Sequence, residues 1–392
     1  MKLLHTSDWH VGKQIRGNSR AAEHRAVLAE MVQVAEREQV DLVVVAGDLW
    51  DTAAPTPEAE AIVYDTLLAF AEVAPQVAVV AGNHDNARKL HALAPLFQRA
   101  RVHVVSEPAR PDDGGVRQFT AADGTPVNLA LLPFVSQRGI VRSEQLMQGQ
   151  GFEHALLYAQ RLTAVVHMLT ASFHAEAANV LVAHAYVAGG TVGGGERAAH
   201  LVQEYAIQST AFPATAGYVA LGHLHRAQQL AGASAIHYCG SPLQLDFGEV
   251  AQRKQVNVVQ LQPGLPAKVT AVPLAAGREL CVHHGTVQQL RESVPDDDAW
   301  LRLVVREPRR AGLGDEVRAM FGERAVDVVV EPAAGGAGPV VARRQGRTPH
   351  ELFHEYLELQ GVDDPRLGLL FAQLLDADAD ADANANVEWV GG

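Results

Sequence analysis

Apolar residues along this chain fall into two kinds of pattern. Short, mostly apolar runs at Lys2–Thr6, Asp41–Ala46, Val77–Ala81, Val127–Leu132, Asn179–Ala183 and Tyr218–Leu221 lack the in–out alternation of a half-exposed strand. Such runs predict strands covered on both faces. Between the first three lie segments of helical character, Ala21–Glu38 and Pro57–Val73, so the opening region reads as βαβ units in a largely covered sheet. A long helix is predicted over Phe152–Ala177, where Phe152, Leu156, Ala159, Thr163, Val166, Leu169 and Phe173 recur at spacings of three and four.

The pattern shifts near Pro273–Leu280. A first domain is expected over residues 1–275, and a smaller α+β unit over residues 276–331. The smaller unit has a strand at Trp300–Val305, a helix near Asp315–Phe321 and a strand at Ala325–Val330. Residues 332–347, PAAGGAGPVVARRQGR, read as a flexible linker rich in Gly and Pro. At its end Thr348, Pro349 and Glu351 form a capping box with proline at the first helical position. One helix should then run to Gly361, and a second, announced by Asp364 and Pro365, to about Asp376. Leu352, Phe353, Tyr356 and Leu357 on the first and Leu367, Leu369, Leu370, Phe371, Leu374 and Leu375 on the second carry more apolar surface than a lone hairpin buries. Residues 348–376 are therefore expected to dock on a partner, with packing against their own domain as the alternative. The tail, residues 377–392, is acidic, of low complexity and expected to be disordered.

Composition narrows the class. At 392 residues and 48% hydrophobic content the chain can bury a sizeable core. A formal net charge of -13 argues against adhesion of the whole surface to nucleic acid or anionic lipid. Two cysteines, Cys239 and Cys281, make no disulfide framework and suit a reducing compartment. No stretch reads as a membrane span or a signal segment, so a cytoplasmic protein is expected.

The chemistry gathers where the strands end. Asp8 and His10 follow the first predicted strand and Asp48 the second; Asn83, His84 and Asp85 follow the third, beyond Gly82. His184 closes a later apolar run, and His223 and His225 follow the last. Singly, each has an ordinary explanation as a turn former or a hydrogen-bonded structural residue. Jointly they do not, because ligand sites in open α/β sheets gather at the carboxyl ends of strands. Two carboxylates, one amide oxygen and four imidazoles, with no thiolate, suit a borderline divalent ion such as Mn²⁺, Fe²⁺ or Zn²⁺. Seven ligands exceed the needs of one such ion. Two ions on the order of 3.5–4 Å apart, sharing a carboxylate, can hold a bridging hydroxide and grip the attacking and leaving oxygens of a phosphoryl centre.

Asp8-x-His10, Gly47-Asp48-x-x-Asp51, Gly82-Asn83-His84-Asp85, His184 and Gly222-His223-x-His225 together resemble, in order and complete, the five-part signature of the calcineurin-like metallophosphoesterases. Within that family LLHTSDWHVGK, VAGDLWD, VAGNHD, GHLH and YCGSPLQLDFGE are similar to the nuclease subunits of bacterial double-strand-break repair complexes. The resemblance implies an α/β fold: a layered sheet–helix domain with a smaller α+β capping domain and a C-terminal helical hairpin. It implies one metal on Asp8, His10, Asp48 and His225, and another on Asp48, Asn83, His184 and His223, the ions typically being Mn²⁺. His84 would stabilise or protonate the leaving oxygen, with Asp85 fixing its tautomer and Asp51 acting behind the ligands. Gly82 would permit the tight turn these groups need.

The activity implied is a Mn²⁺-dependent DNA nuclease, a 3′→5′ exonuclease on double-stranded ends and an endonuclease on single strands and hairpins, in DNA repair, recombination and replication. Its partners would be DNA, a coiled-coil ATPase docked at residues 348–376, and a second copy of the chain joined through helices near Pro57–Phe70 and Ala87–Phe97. The basic loop with Lys13, Arg16, Arg20 and Arg25 would contact phosphates, although a solvated surface explains the same charges. The alternatives are a small-molecule or cyclic-nucleotide phosphodiesterase with the same metal cage, and a binding scaffold whose site has decayed.

Overall fold

The structure is a computed structural model that describes residues 1–136, 151–196 and 206–331, with the backbone alone for 151–155, and five further positions, 353, 356, 357, 367 and 371. In chain order the elements are β1 (Lys2–Thr6), a short hairpin of β2 (Gln14–Ile15) and β3 (Asn18–Ser19), α1 (Ala21–Glu38), β4 (Leu42–Ala46), α2 (Pro57–Val73), β5 (Gln76–Val80), α3 (Ala87–Arg99) and β6 (Val102–Val105). There follow β7 (Val116–Thr120), β8 (Pro126–Leu132), α4 (Gly151–Leu169), β9 (Ala178–His184), β10 (Tyr218–Gly222), β11 (Gln228–Leu230), β12 (Ala235–Tyr238), β13 (Gln255–Gln260) and β14 (Lys268–Pro273). The last group is β15 (Leu280–Gly285), α5 (Val287–Ser293), β16 (Trp300–Arg306), α6 (Leu313–Phe321) and β17 (Ala325–Glu331).

Two six-stranded sheets carry the fold, and the first three expected strands, β1, β4 and β5, lie side by side in one of them. The strand orders are β14-β13-β1-β4-β5-β6 and β11-β12-β10-β9-β8-β7. The inner faces enclose one apolar cluster, in which Leu3, Val44, Val80 and Val259 of the first sheet join Leu131, Val182, Tyr218 and Ala220 of the second. Outside the first sheet, Val43, Val45 and Val79 meet Leu28 and Met31 of α1, Val63 and Phe70 of α2 and Leu90 of α3. Outside the second, Leu181, Val219 and Leu221 meet Tyr158, Leu162 and Val166 of α4. Every central strand is therefore covered twice, which is why their sequences do not alternate; all five residues of β4 are fully buried. The predicted bounds hold for β1, α1 and α2, whereas the long helix ends at Leu169, eight residues early. There the Thr170 hydroxyl donates to the carbonyl of Val166, and the chain turns towards β9.

β1, β4, β5 and β6 run parallel, as do β8, β9, β10 and β12. Their carboxyl ends meet along one edge, which positions the site. Residues 1–331 form one compact unit. Within it β15, β16 and β17 make a separate parallel sheet whose own core includes Leu301, Leu303, Val305, Leu290 and Val317. The indole of Trp300 donates to buried Glu23 of α1 at 2.9 Å, and Arg16 pairs with Asp327 of β17 at 2.9 Å. Residues 332–392 are a second unit, and the expected linker, most of the hairpin and the tail lie outside the described residues. Of that unit, Phe353 stacks on Phe371 with ring centroids 4.0 Å apart, one ring from each expected helix. Among the described residues no helix is long and apolar enough to cross a membrane.

Candidate metal centre

Asp8, His10, Asp48 and His223 all leave their strands with φ between 46° and 105°, a left-handed conformation that costs energy for residues with a Cβ. The close pairing of strand exits maintains it: the Asp8 N–H donates to the carbonyl of Gly47 at 2.9 Å and the His10 N–H to that of Asp48 at 3.0 Å. Gly82 serves through close approach rather than an unusual turn, since its φ is not positive and a Cβ there would sit 2.1 Å from Oδ1 of Asp48. Each buried carboxylate is aimed by a backbone N–H from another motif. Oδ1 of Asp8 accepts from His223, and Oδ1 of Asp48 from His84, both at 2.9 Å.

The head groups converge. Donor atoms of Asp8, His10 and His225 lie within 4.8 Å of one another, as do those of Asp8, Asp48 and His184, and those of His10, Asp48 and His84. Oδ2 of Asp48 is 3.5 Å from Nε2 of both His10 and His184, equidistant from the two groups. Nε2 of His184 and Nδ1 of His223 each approach Oδ1 of Asn83 to 2.9 Å.

Second contacts set the tautomers. Nδ1 of His184 faces the carbonyl of Ala46 at 2.8 Å and must carry the proton there, leaving a lone pair on Nε2 directed at the Asn83 oxygen. Nδ1 of His225 faces the carboxylate of Glu249 at 2.9 Å, and its Nε2 lies 3.1 Å from Nε2 of His10, where the neutral ring would present a lone pair. Lone pairs facing acceptor atoms at such distances repel unless a cation lies among them. The donor set and its orientation therefore fit divalent metal ions.

Electrostatics agree. Burial raises the Asp8 carboxyl to about 6, and burial followed by the Asp85 and Asp8 charges holds Asp48 well above the carboxylate range. Burial likewise keeps His10 and His184 well below the imidazole range. His225 goes the other way: burial lowers it, but the Glu249 hydrogen bond and charge, with Asp8 and Glu196, carry it above its ordinary value. A cage that stabilises neutral imidazoles beside carboxyls deprived of solvent gains from added positive charge.

Two expected roles change. Asp85 does not fix the His84 tautomer: its carboxylate accepts the N–H groups of Leu49, Trp50 and Gly82 at 2.8–3.2 Å, and Nδ1 of His84 faces the carbonyl of Asp51 at 2.7 Å. Arg20 is not a phosphate contact, because it is 1% exposed, pairs with Glu23 at 2.6 Å and donates to the carbonyl of Gln244. Arg25 makes an exposed pair with Glu58 at 3.0 Å, the solvated-surface arrangement. Lys13 stays beside the candidate ligands, 3.2 Å from Asp51, whose carboxylate lies 3.6 Å from Nδ1 of His10.

Sequence reasoning missed Glu249 and Lys254. Glu249 is fully buried; it holds His225 through Oε1 and takes Lys254 at 2.7 Å through Oε2. It closes the YCGSPLQLDFGE segment, which offered the only signal for it. Glu196 was missed as well, and it accepts the His225 N–H at 2.9 Å.

Residues 1–227 match the family model described as calcineurin-like phosphoesterase, and the chain belongs to that family. The curated relatives place the likeness more narrowly. The SbcD component of the SbcCD nuclease of Bacillus subtilis is 32% identical over 313 residues, covering 78% of this chain and 79% of that one. Its namesake in Rhodobacter capsulatus is 32% identical over 283 residues, covering 70% and 69%, and that of Escherichia coli K12 is 28% identical over 404 residues, covering 96% and 98%. A solved dimetal phosphatase from Danio rerio overlays at a TM-score of 0.40 with 14% identity, covering 69% of this chain and 98% of that one.

Proposed function

We propose that this chain is a metal-dependent DNA nuclease. One Mn²⁺ would be held by Asp8, His10, Asp48 and His225, and the other by Asp48, Asn83, His184 and His223. The observation that carries the reading is the placing of Asp48 Oδ2 at 3.5 Å from two imidazole nitrogens of opposite groups, the position of a shared ligand. When bound, divalent ions would supply Lewis acidity at phosphorus and lower the pKa of water. The protein's own part is to hold the phosphate against these donors and to manage the proton. His84, with Nδ1 directed at the Asp51 carbonyl, delivers a proton from Nε2 to the leaving oxygen. Asp85 keeps its motif in place by clamping three backbone N–H groups. Lys13 and Arg16 remain as contacts to the phosphate backbone.

The curated relatives, named as nuclease components, support DNA as the substrate, and by that likeness the chain cuts double-stranded ends 3′→5′ and single strands or hairpins internally. It works in the cytoplasm at the nucleoid with an SbcC-like ATPase that docks at residues 348–376, where Tyr356 is exposed. Leu68 of α2 and Leu96 of α3, both exposed, support a homodimer through these helices.

Purified protein with Mn²⁺ should cleave end-labelled linear and hairpin DNA, and Asp48→Ala and His84→Leu should abolish cleavage. Unchanged cleavage in both variants would falsify the assignment. Turnover of bis-p-nitrophenyl phosphate or cyclic nucleotides without DNA cleavage would move the chain to the small-molecule branch of the family. Deleting residues 347–376 should end co-purification with the ATPase.

A further inference from the structure

The two flanks of the metal centre differ in chemistry. On the side of His10 stand His84, whose ring is 4.7 Å from that of His10, together with Asp51 and its ion-pair partner Lys13. This flank is polar and charged. On the side of His223 stand two half-buried aromatic rings. Phe134, from the loop after β8, lies parallel to His223 at 6.2 Å and edge-on to His184 at 6.1 Å. Tyr186, two residues beyond β9, lies 6.3 Å from the same His223 ring.

Both rings are fixed by their backbones. The Phe134 N–H donates to the carbonyl of Ala81 at 2.8 Å, at the exit of β5 beside Gly82 and Asn83. The Tyr186 carbonyl accepts the Ile207 N–H at 3.0 Å. Both rings are partly buried, Tyr186 against the apolar cluster outside the second sheet.

We infer that Phe134 forms a stacking platform for one nucleobase, with Tyr186 on the same flank, that base belonging to the nucleotide on the His223 side of the scissile phosphate. The inference rests on the nuclease reading and deepens it. A phosphate held by the metal ligands leaves its two flanking nucleotides to opposite sides. The polar flank, with Lys13, suits a phosphodiester backbone, and the aromatic flank suits a base. Stacking is tolerant of sequence because every base has a π-face. The platform thus favours a strand whose base is unpaired and free to lie on the rings, which means single strands, loops and frayed ends.

The test uses a single-stranded oligonucleotide with one ordinary phosphodiester among methylphosphonate linkages, so that only one bond can be cut. It is made in three forms: fully based, abasic 5′ to that bond, and abasic 3′ to it. With the full-length protein and Mn²⁺, Phe134→Leu should lower kcat/KM on the based strand by about fivefold to about a hundredfold, the range for stacking one base on an aromatic ring. The wild type should suffer the same loss on one of the two abasic strands. On that strand Phe134→Leu should cost nothing further, while Phe134→Trp should keep activity on the based strand. Mn²⁺ affinity, read by calorimetry, should match between wild type and Phe134→Leu.

Equal losses for Phe134→Leu on all three strands, or weakened Mn²⁺ binding, would show that the ring only braces His223 and would overturn the platform. So would a wild type indifferent to both abasic sites. Wild-type protein that cuts none of the strands but hydrolyses bis-p-nitrophenyl phosphate would remove the nuclease reading itself, and the platform with it.

Discussion

Glu249 shows how a single buried charge is put to use. One oxygen holds the proton-bearing nitrogen of His225; the other accepts from Lys254 at 2.7 Å and from the Leu245 N–H at 3.0 Å. Burial raises its pKa, but the His225 hydrogen bond and Lys254 outweigh that and hold it at about 2, so it stays ionised throughout the working range. A carboxylate behind a metal-binding imidazole fixes ring orientation and increases ligand basicity. Glu249→Gln keeps the shape and removes the charge. It should weaken Mn²⁺ binding by about 10- to 100-fold, read by calorimetric titration, while thermal unfolding in EDTA shows the protein still folded. Affinity equal to wild type would leave Glu249 a purely structural residue. Asp85 and Arg20 illustrate the opposite case. Both looked functional from type and neighbourhood, and both are spent on backbone groups and a buried ion pair.

Among the elements, β1 and α1 each carry a neutral buried histidine. Burial, then the His237 charge, lowers His5 to about 3; burial, then Arg20, lowers His24 to about 4. Nε2 of each is buried without a hydrogen-bond partner. Unfolded, both titrate at about 6.5. A depressed folded pKa means that the unfolded chain binds the extra proton, so the stability these groups allow is complete above about pH 6.5 and is lost as the pH falls towards 4 and 3. His24→Leu removes one such group. Relative to wild type, its unfolding free energy in EDTA should rise by about 1.4 kcal/mol per pH unit as the pH is lowered from about 6 to about 4, read from urea midpoints. A constant difference across that range would mean that His24 is protonated in the folded protein.

Across the whole molecule, the candidate cage joins the two sheets. Asp8, Asp48 and Asn83 leave strands of the first, and His184, His223 and His225 leave strands of the second. Metal binding is thereby linked to sheet packing. At a free concentration one hundred times Kd, each ion should stabilise the folded chain by about 2.7 kcal/mol. Thermal unfolding should shift upward with Mn²⁺ and downward with EDTA, and Asp48→Ala should lose most of that shift. Identical midpoints with and without Mn²⁺ would separate the cage from the fold. The formal charge of -13 belongs to this scale too, since it disfavours DNA over most of the surface and leaves attraction to the site.

How much was legible follows from what each feature depends on. The ligand residues and the strands that present them could be read directly, because a strand exit is a local event and each motif sits a few residues past an apolar run. β1, α1 and α2 were placed correctly for the same reason, with Thr56 capping α2 and left-handed Gln39 ending α1. Strands β13 and β14 escaped notice because Gln255, Asn257 and Lys268 interrupt their apolar pattern, and their place in the first sheet comes from the pairing of β13 with β1, at the far end of the chain segment. Local patterns sufficed to mark the side chains of the candidate cage and the edge at which they gather. Long-range packing alone divides the strands into two facing sheets, sets Glu249 behind His225, buries Arg20 and brings Phe134 and Tyr186 beside the centre. Those outcomes turn on desolvation and on partners distant along the chain, and no local pattern encodes either.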